Sequence, residues 1–250
     1  MKKQQKNWIH FSDFKFMKIS IERSDERGTT ELGWLHSRHS FSFGNYHNPK
    51  RMGFGVLRVF NEDIVEPGKG FGTHFHDNFE IVSIILEGAL EHKDSMSNHG
   101  IIPSGDIQRI SAGTGISHSE FNHSSNEKVH FLQIWIEPND RNIKPSYEQK
   151  SFLINKNRLV KVVSGIKNKD TIYIHQDANF SLGNFDKNKT ISYKLNNSKH
   201  GVFVFVIEGK IEVDKSKLEK DDAAEITETE ILKIKSNERS QILVIEVPLS

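Results

Sequence analysis

Short apolar runs, separated by polar turns that contain Gly, Asn, Asp or Pro, recur along the whole chain. The clearest runs are GFGVLRVF (53–60), EIVSIILEG (80–88), VHFLQIWIE (129–137), TISYKL (190–195), GVFVFVIEGKIEV (201–213) and SQILVIEVP (240–248). Many short strands bounded by such turn residues are typical of β-sandwiches and β-barrels. Helical periodicity is weak, and its best candidates are two short segments, 144–150 and 223–232. The pattern therefore predicts an all-β protein.

One β unit occurs twice in the chain. The stretch SIILEGALEHKDS (83–95) has the same pattern as VFVIEGKIEVDKS (204–216): an apolar strand, Glu-Gly, an alternating strand and a charged turn. A further apolar-patterned segment follows each copy after a short connection. Two copies of one unit predict two tandem β domains. The polar segment 137–150, which holds two of the six prolines, is the predicted linker.

The predicted division of the 250 residues has three parts: an N-terminal extension (1–18), a first β domain (19–145) and a second β domain (146–250). A chain of this length is sufficient for two domains of ordinary size. The extension is basic and has no apolar core of the kind found in secretory signals. An ordered N-terminal arm is the alternative to a flexible extension.

Composition excludes several function classes. The chain has 34 Lys+Arg against 33 Asp+Glu, which gives a formal charge of +1 and no support for direct nucleic-acid binding. No apolar stretch is long enough for a transmembrane helix. Cysteine is absent, so any metal site must use His, Asp, Glu or backbone ligands, and thiol catalysis is excluded. We therefore expect a cytoplasmic protein without membrane contacts.

Histidines two residues apart point to a metal site in the first half of the chain. His74 and His76 lie in one predicted strand and project to the same face, as does Glu80 if the strand continues. His118 and Glu120 repeat the spacing in a later segment. Together the two segments offer three imidazoles and one or two carboxylates, a set that suits Fe, Mn, Ni, Cu or Zn. An open coordination position would allow catalysis.

Two stretches resemble the motifs of a known superfamily. GKGFGTHFHDNFEIVSIILEG (68–88) resembles the first cupin motif, with one extra residue before its last glycine. GDIQRISAGTGISHSEFN (105–122) resembles the second, with Ser111 in place of proline and two extra residues before the histidine. Cupins are small double-sheet jelly rolls. The resemblance implies a bicupin whose second domain lacks metal ligands, because the corresponding positions fall near Leu195 and Asn197.

Within this superfamily the chain is similar to the pirin family, and more specifically to bacterial pirin-like proteins with quercetin 2,3-dioxygenase activity. The similarity runs from about Ile19 to the C-terminus, and it is dense in the first half but only at the level of pattern in the second. The segments that carry it are RHSFSFG (38–44), MGFGVLRVFNED (52–63), LEGALEHKDSM (86–96), HSEFNHS (118–124) and LQIWIEP (132–138).

The resemblance implies a particular ligand set. In pirins the fourth ligand is the glutamate of the second motif, so the implied ligands are His74, His76, His118 and Glu120. The implied cofactor is one divalent transition metal, expected to be Fe, while Mn, Ni, Cu, Co and Zn also accept this set. Glu80 then becomes a neighbour of the site or a polar strand residue.

The resemblance also implies a function. The first hypothesis is an oxidoreductase that uses dioxygen to cleave a flavonol such as quercetin, with Glu120 as both ligand and base for the coordinated hydroxyl. The alternative is a metal-bound redox sensor or regulatory protein that acts on a transcription factor or a metabolic enzyme. A third possibility is a metal-free structural bicupin. We expect a monomer, because tandem domains can cover each other's sheets.

Other residues have open interpretations. His92 either contacts substrate or water near the metal, or is a histidine at the barrel mouth. Gln133 interrupts an apolar strand and either orients a ligand imidazole or faces solvent. The histidines at 36, 39, 99, 123 and 130 are expected to be surface or structural. The phenylalanines at 41, 43, 54, 60 and 71 are expected to be mainly core, with one or two lining a pocket for an aromatic substrate.

Overall fold

The computed structural model describes residues 17–249, and strands dominate this part of the chain. Its single helical element is a 3-10 turn at Ser24–Glu26. The all-β prediction is confirmed, whereas the two weak helical candidates are wrong. Residues 146–151 and 223–227 are strands that pair with neighbouring sheets, and this pairing outweighs their weak helical periodicity. Within the described residues, no helix is long and apolar enough to cross a membrane.

Twelve strands lie before residue 152. They are β1 (Lys18–Glu22), β2 (Gly28–Glu31), β3 (Leu35–His39), β4 (Leu57–Val65), β5 (Gly70–His76), β6 (Glu80–Glu87), β7 (Ala89–Asp94), β8 (His99–Pro103), β9 (Asp106–Ser111), β10 (Ile116–Asn122), β11 (Val129–Ile136) and β12 (Ser146–Ser151).

Ten strands follow. They are β13 (Leu159–Ser164), β14 (Ile172–Tyr173), β15 (Asn179–Phe185), β16 (Thr190–Lys194), β17 (His200–Glu208), β18 (Lys210–Val213), β19 (Ser216–Glu219), β20 (Ala223–Thr227), β21 (Ile231–Ser236) and β22 (Ser240–Pro248).

Each half of the chain folds into a jelly roll made of a seven-stranded and a four-stranded sheet. The first pair has the orders β12-β9-β6-β11-β4-β3-β2 and β5-β10-β7-β8, and the second has β1-β20-β17-β22-β15-β13-β14 and β16-β21-β18-β19. Neighbouring strands are antiparallel except β13 and β14, which are parallel. The prediction of two cupin-type domains is confirmed.

The repeated Glu-Gly has a structural cause. Gly88 joins β6 to β7 and Gly209 joins β17 to β18, and both have positive φ values, +74° and +86°. A Cβ at Gly88 would lie 2.6 Å from the carbonyl oxygen of Lys128, and one at Gly209 would lie 2.2 Å from that of Arg239. Both turns therefore need glycine for conformation and for space.

The two seven-stranded sheets pack face to face and form the largest core of the molecule. Phe60 of the first sheet lies with its ring centroid 4.8 Å from those of Phe203 and Phe205 in the second, and all three are fully buried. Because each large sheet has a barrel interior on its other side, its central strands are buried on both faces. This double burial explains the continuous apolar runs of β6 and β17.

Two edge strands are exchanged between the halves. β1 pairs with β20 and so completes the second large sheet, while β12 pairs with β9 and completes the first. Residues 146–151 therefore belong by pairing to the sheet that carries most of residues 28–136. The division at residues 18 and 145 stays a prediction, since residues 1–16 lie outside the described part.

The second barrel has an apolar core. Val204 and Val206 of β17 pack there with Ile211, Leu232 and Ile234. Leu195, near one of the positions that correspond to the histidines of the first half, belongs to the same cluster. Across residues 17–249, groups of side chains with metal-binding geometry are found in the first barrel alone.

Candidate metal centre

Three histidines meet on the inner face of the four-stranded sheet of the first barrel. His74 and His118 are direct cross-strand partners on β5 and β10, and His76 follows two residues after His74. The ring centroids lie 4.4 Å apart for His74 and His118, 4.9 Å for His76 and His118, and 4.7 Å for His74 and His76. One nitrogen from each ring lies within 4.8 Å of the other two.

The nitrogens of these rings are in a state that fits a metal. Nδ1 of His74 lies 2.8 Å from the carbonyl oxygen of Gly72 and donates its proton there, which leaves Nε2 with a free lone pair. Nε2 of His118 is buried and has no hydrogen-bond partner in the described chain. A buried nitrogen without a partner is costly unless a ligand satisfies it. The three imidazoles therefore suit a borderline divalent ion.

Burial keeps two of the imidazoles neutral. It lowers the pKa of His76 to about 4 and that of His118 to about 3, and in each case the charge of neighbouring histidines adds to the fall. Neutral imidazole is the form that coordinates metals. Trp135 contributes to the burial, because its ring packs edge-on against His76 at a centroid distance of 4.8 Å.

His92 lies behind His118 and is fully buried. Its Nε2 is 3.2 Å from Oδ2 of Asp94, and its Nδ1 is 3.5 Å from Nδ1 of His118. If Nε2 of His92 donates a hydrogen bond to the carboxylate, Nδ1 of His92 is left to accept a hydrogen bond from Nδ1–H of His118. The ring of Tyr147 stacks on His92 at 4.7 Å and 22°. The chain Asp94–His92–His118 thus favours the tautomer of His118 whose Nε2 lone pair faces the cluster.

Glu120 lies two residues after His118 on β10, and the side-chain amides of two glutamines hold its carboxylate. Nε2 of Gln133 donates to Oε2 at 3.0 Å, and Nε2 of Gln108 donates to Oε1. Ser83 links the two amides, since its hydroxyl donates to Oε1 of Gln133 and accepts from Nε2 of Gln108. Each carboxylate oxygen still has a lone pair for a metal or a proton. Glu120 also forms a group of metal-binding geometry with His118 and His92.

Glu80 is separated from this cluster by the large sheet. Its Oε2 accepts a hydrogen bond from Ser111 at 2.9 Å, and its Oε1 lies 3.2 Å from Nδ1 of His175 in the second domain. Its neighbours on the same face of β6, Val82 and Ile84, belong to the core between the domains. Burial raises the pKa of Glu80. Glu80 is therefore a domain-contact residue.

A cavity of about 370 Å³ opens beside the histidines, and His74, His76 and Glu120 line it. Three aromatic side chains contribute to its wall: Phe43, Phe71 and Trp135. Phe43 packs edge-on against Trp135 at 5.3 Å, which fixes the two rings relative to each other. The volume is at the lower end of the range for small-molecule sites, about 300 to 1,000 Å³.

The predicted site residues are thus placed as follows. His74, His76 and His118 come together, Glu120 lies beside His118, and Glu80 lies elsewhere. The assignment of these four residues as ligands and of Glu120 as the base stays a prediction. Phe43 and Phe71 line the cavity, while the phenylalanines at 41, 54 and 60 are buried.

The structure decides the open interpretation of Gln133 and adds a second glutamine. Gln133 holds the carboxylate of Glu120 and does not contact a ligand imidazole through its amide. Gln108 was not singled out from the sequence at all. The signal in the sequence is a polar residue inside the apolar-patterned segment 104–111, and the structure shows that every residue of β9 is buried.

Family models match both halves of the chain. The model described as Pirin matches residues 21–136, and the model described as quercetinase C-terminal cupin domain matches residues 161–247. The matches follow the two jelly rolls and confirm the family that the motifs indicate.

Curated relatives and solved structures agree with this assignment. The chain is similar to quercetin 2,3-dioxygenase of Escherichia coli strain K12, with 37% identity over 92% of this chain and 99% of the relative. It is also similar to a putative quercetin 2,3-dioxygenase of Zymomonas mobilis, with 40% identity over 87% of this chain and 93% of that one. Among solved structures, the bacterial pirin YhhW of Escherichia coli in complex with nickel(II) matches with a TM-score of 0.89. That match has 36% identity and covers 93% of this chain and all of YhhW. The chain belongs to the pirin family of bicupins.

Proposed function

We propose that this protein is a metal-dependent dioxygenase that cleaves flavonols such as quercetin, with His74, His76, His118 and Glu120 as the metal ligands. One observation carries the proposal: a cavity of about 370 Å³ is lined by His74, His76 and Glu120 together with the aromatic rings of Phe43, Phe71 and Trp135. The names of the relatives supply the substrate class. The overall reaction takes a flavonol and dioxygen to a ring-opened ester and carbon monoxide.

Each residue has a defined task in this proposal. When bound, a divalent ion would lower the pKa of a coordinated hydroxyl. The carboxylate of Glu120 accepts the proton of that hydroxyl, while the amides of Gln108 and Gln133 keep both of its oxygens in place. Phe43 and Trp135 hold the flat rings of the substrate and exclude water from one face.

The metal is a separate part of the proposal. We propose Fe as the native ion, and the ligand types also accept Mn, Ni, Cu, Co and Zn. The complex of the related YhhW with nickel(II) supports a divalent ion in this fold. Elemental analysis of protein purified without added metal tests the identity directly.

The proposal also covers the cellular location and the oligomeric state of the protein. It places the enzyme in the cytoplasm, in line with a chain that has no cysteine. It treats the protein as a monomer, because each large sheet is already covered on both faces. The cavity favours the enzyme over the regulatory alternative, since a sensor that signals through its surface needs no aromatic pocket beside the metal.

Loss of the visible absorption band of quercetin tests the activity. Protein reconstituted separately with each of the six metals is expected to bleach quercetin in air with at least one of them. His118→Ala is expected to lose this activity, and the matched control His123→Ala, on an exposed part of the same barrel, is expected to keep it. Absence of turnover with every metal, or full activity of His118→Ala, would contradict the proposal. Tight metal binding without turnover would favour the regulatory alternative.

A further inference from the structure

The cavity has a second polar surface on the large sheet, beyond Gln133, which is one of the two glutamines that hold Glu120. Asn61 and Asp63 of β4 and His39 of β3 line it together with the residues of the metal centre. Asn61 lies directly opposite Gln133 in the pairing of β4 and β11. Since neighbouring strands are about 4.8 Å apart, β4 and β3 place polar groups roughly 5 and 10 Å from the strand of Gln133.

The outer part of this surface is fully paired. Nδ1 of His39 lies 2.8 Å from Oδ1 of Asn61, and its Nε2 lies 2.9 Å from Oγ1 of Thr30. Burial lowers the pKa of His39, so the ring is neutral and has one donor and one acceptor nitrogen. With Nδ1 as the donor to Asn61 and Nε2 as the acceptor from Thr30, both nitrogens are satisfied. This network also fixes the amide of Asn61 with its Nδ2 free.

The inner part of the surface has two polar atoms without partners. The hydroxyl of Ser37 donates to Oδ1 of Asp63, and within residues 17–249 nothing donates to Oδ2. Nδ2 of Asn61 likewise donates to no group of the described chain. Asp63 is only 4% exposed and Asn61 only 2% exposed, yet both line the cavity. Because they are two apart on β4, they project to the same side.

Polar groups that have no partner in the chain and face a cavity are completed by water or by a ligand. The wall around them is apolar, since Leu35, Phe71 and Phe43 line the same cavity. Burial raises the pKa of Asp63 to about 7, with the nearby carboxylates of Glu120 and Glu62 adding to the rise. Oδ2 of Asp63 offers an acceptor to the cavity, and Nδ2 of Asn61 offers a donor beside it. An aromatic hydroxyl, which also both donates and accepts, is the matching partner.

We propose that Asp63 and Asn61 form a second hydroxyl-binding subsite, which selects polyhydroxylated aromatic substrates over those whose only hydroxyl is at the metal. In this arrangement the substrate hydroxyl accepts from Nδ2 of Asn61 and bonds to Oδ2 of Asp63. Ser37 and His39 position these two side chains and do not contact the ligand through their own hydrogen bonds. The inference rests on the proposed function for the identity of the ligand class.

The test compares two ligands in the wild-type protein without turnover. Quercetin has several hydroxyls, whereas 3-hydroxyflavone keeps only the one expected at the metal. Quenching of tryptophan fluorescence, in metal-loaded protein without oxygen, measures both Kd values, since Trp135 lines the cavity. We expect quercetin to bind about 10- to 100-fold more tightly, the effect of one or two hydrogen bonds to a buried polar group. Affinities within threefold of each other, or no binding of either ligand, would overturn the subsite.

Variants of Asp63 localise the effect. Asp63→Leu removes the carboxyl, and the ratio of the two Kd values is expected to fall to about one. Asp63→Asn keeps an acceptor for Ser37 and offers a donor to the cavity, so it is expected to keep part of the ratio. Asp140→Leu, the same change in an exposed loop, is the matched control. An unchanged ratio in a folded Asp63→Leu protein would contradict the assignment.

The outcome is separable from that of the proposed function. The Kd ratio is measured without oxygen, whereas cleavage is measured in air by the loss of the quercetin band. A large ratio without cleavage would support the subsite and reject the dioxygenase. Cleavage together with similar Kd values for the two ligands would support the dioxygenase and reject the subsite.

Discussion

Glu80 and Glu120 are both buried carboxylates of the first barrel, but they serve different faces of the large sheet. Glu80 bonds to Ser111 and to His175 across the domain contact, while Glu120 is held by two glutamines inside the barrel. The glutamate of the first motif is thus closer in sequence to His76, yet the glutamate of the second motif is the one beside His118.

The isosteric pair Glu120→Gln and Glu80→Gln separates these roles. Glu120→Gln is expected to weaken metal binding by at least tenfold, because it removes a charged ligand from a buried site. Glu80→Gln is expected to leave the metal Kd within twofold while it changes thermal stability through His175. Titration with a divalent ion, followed by tryptophan fluorescence, measures both. Equal metal affinities in the two variants would argue against Glu120 as a ligand.

His92 is expected to act on the metal through His118. His92→Phe keeps a ring to stack on Tyr147 but removes the acceptor for Nδ1 of His118. Residues that orient a metal-bound histidine typically change metal affinity about 10- to 100-fold, and we expect a loss in this range. His99→Phe, on the exposed surface of the adjacent strand β8, is the control. A metal Kd in His92→Phe within threefold of wild type would show that the tautomer does not depend on His92.

Metal binding at pH 7 is expected to release few protons from the imidazoles. The pKa of His76 is about 4 and that of His118 about 3 in the metal-free site, so both are already neutral. Protons from these two rings compete with metal only as the pH falls toward 4. Calorimetric titration in two buffers of different ionisation enthalpy measures the number released, which we expect to be below one per ion. Release of two or more protons would show that the histidines are charged before binding.

Asp63 is expected to make the metal-free protein less stable as the pH rises toward 7. Its pKa is raised from 3.8 to about 7 in the folded state, so between these values the folded protein binds more protons than the unfolded chain. This contribution is fully present below pH 3.8 and is lost as the pH rises through 7. One such group changes the unfolding free energy by at most about 1.4 kcal/mol per pH unit.

Urea unfolding of metal-free wild type and Asp63→Asn from pH 4 to pH 7 measures this effect. The difference between their unfolding free energies is expected to move in favour of the variant as the pH rises. Other groups that titrate in this range, His76 among them, cancel in the comparison to the extent that the variant leaves them unchanged. A difference that does not vary with pH would place the Asp63 pKa near its ordinary value.

The domain contact is expected to make the two jelly rolls unfold together. Phe203 is fully buried between Phe41 and Phe60 of the other domain. Phe203→Ala is expected to cost about 3–5 kcal/mol, the usual range for a buried phenylalanine. Denaturant unfolding followed by both circular dichroism and tryptophan fluorescence should give one shared transition, shifted to lower denaturant in the variant. Two separate transitions in wild type would indicate independent domains.

The predictable and unpredictable parts of the site differ in the range of their contacts. The spacing of His74 and His76 depends only on the period of a strand, and that period is visible in the sequence. The expectation that Glu120 and not Glu80 is the fourth ligand depends on the family resemblance, because both carboxylates have the right chemistry. Gln108 lies on β9 and Asp63 lies on β4, and both strands belong to the large sheet. These residues approach the histidines of the four-stranded sheet only because the two sheets close into a barrel.

The fold, like the site, is predictable from sequence only where contacts are local. The continuous apolar runs of β6 and β17 indicated buried strands, and the structure explains them by sheets covered on both sides. The two segments with weak helical periodicity are strands, because each pairs with a neighbouring strand of a large sheet, a contact that local periodicity does not report. The exchange of β1 and β12 between sheets follows from edge pairing, for which a local pattern gives no signal.

That exchange determines how the chain can be divided. A cut between the two jelly rolls leaves at least one fragment with a strand that belongs to the other fragment's sheet. An isolated first half that ends at residue 145 would expose the backbone edge of β9, and an isolated second half would lack the strand that covers β20. The two jelly rolls are therefore separate in architecture but not autonomous as fragments.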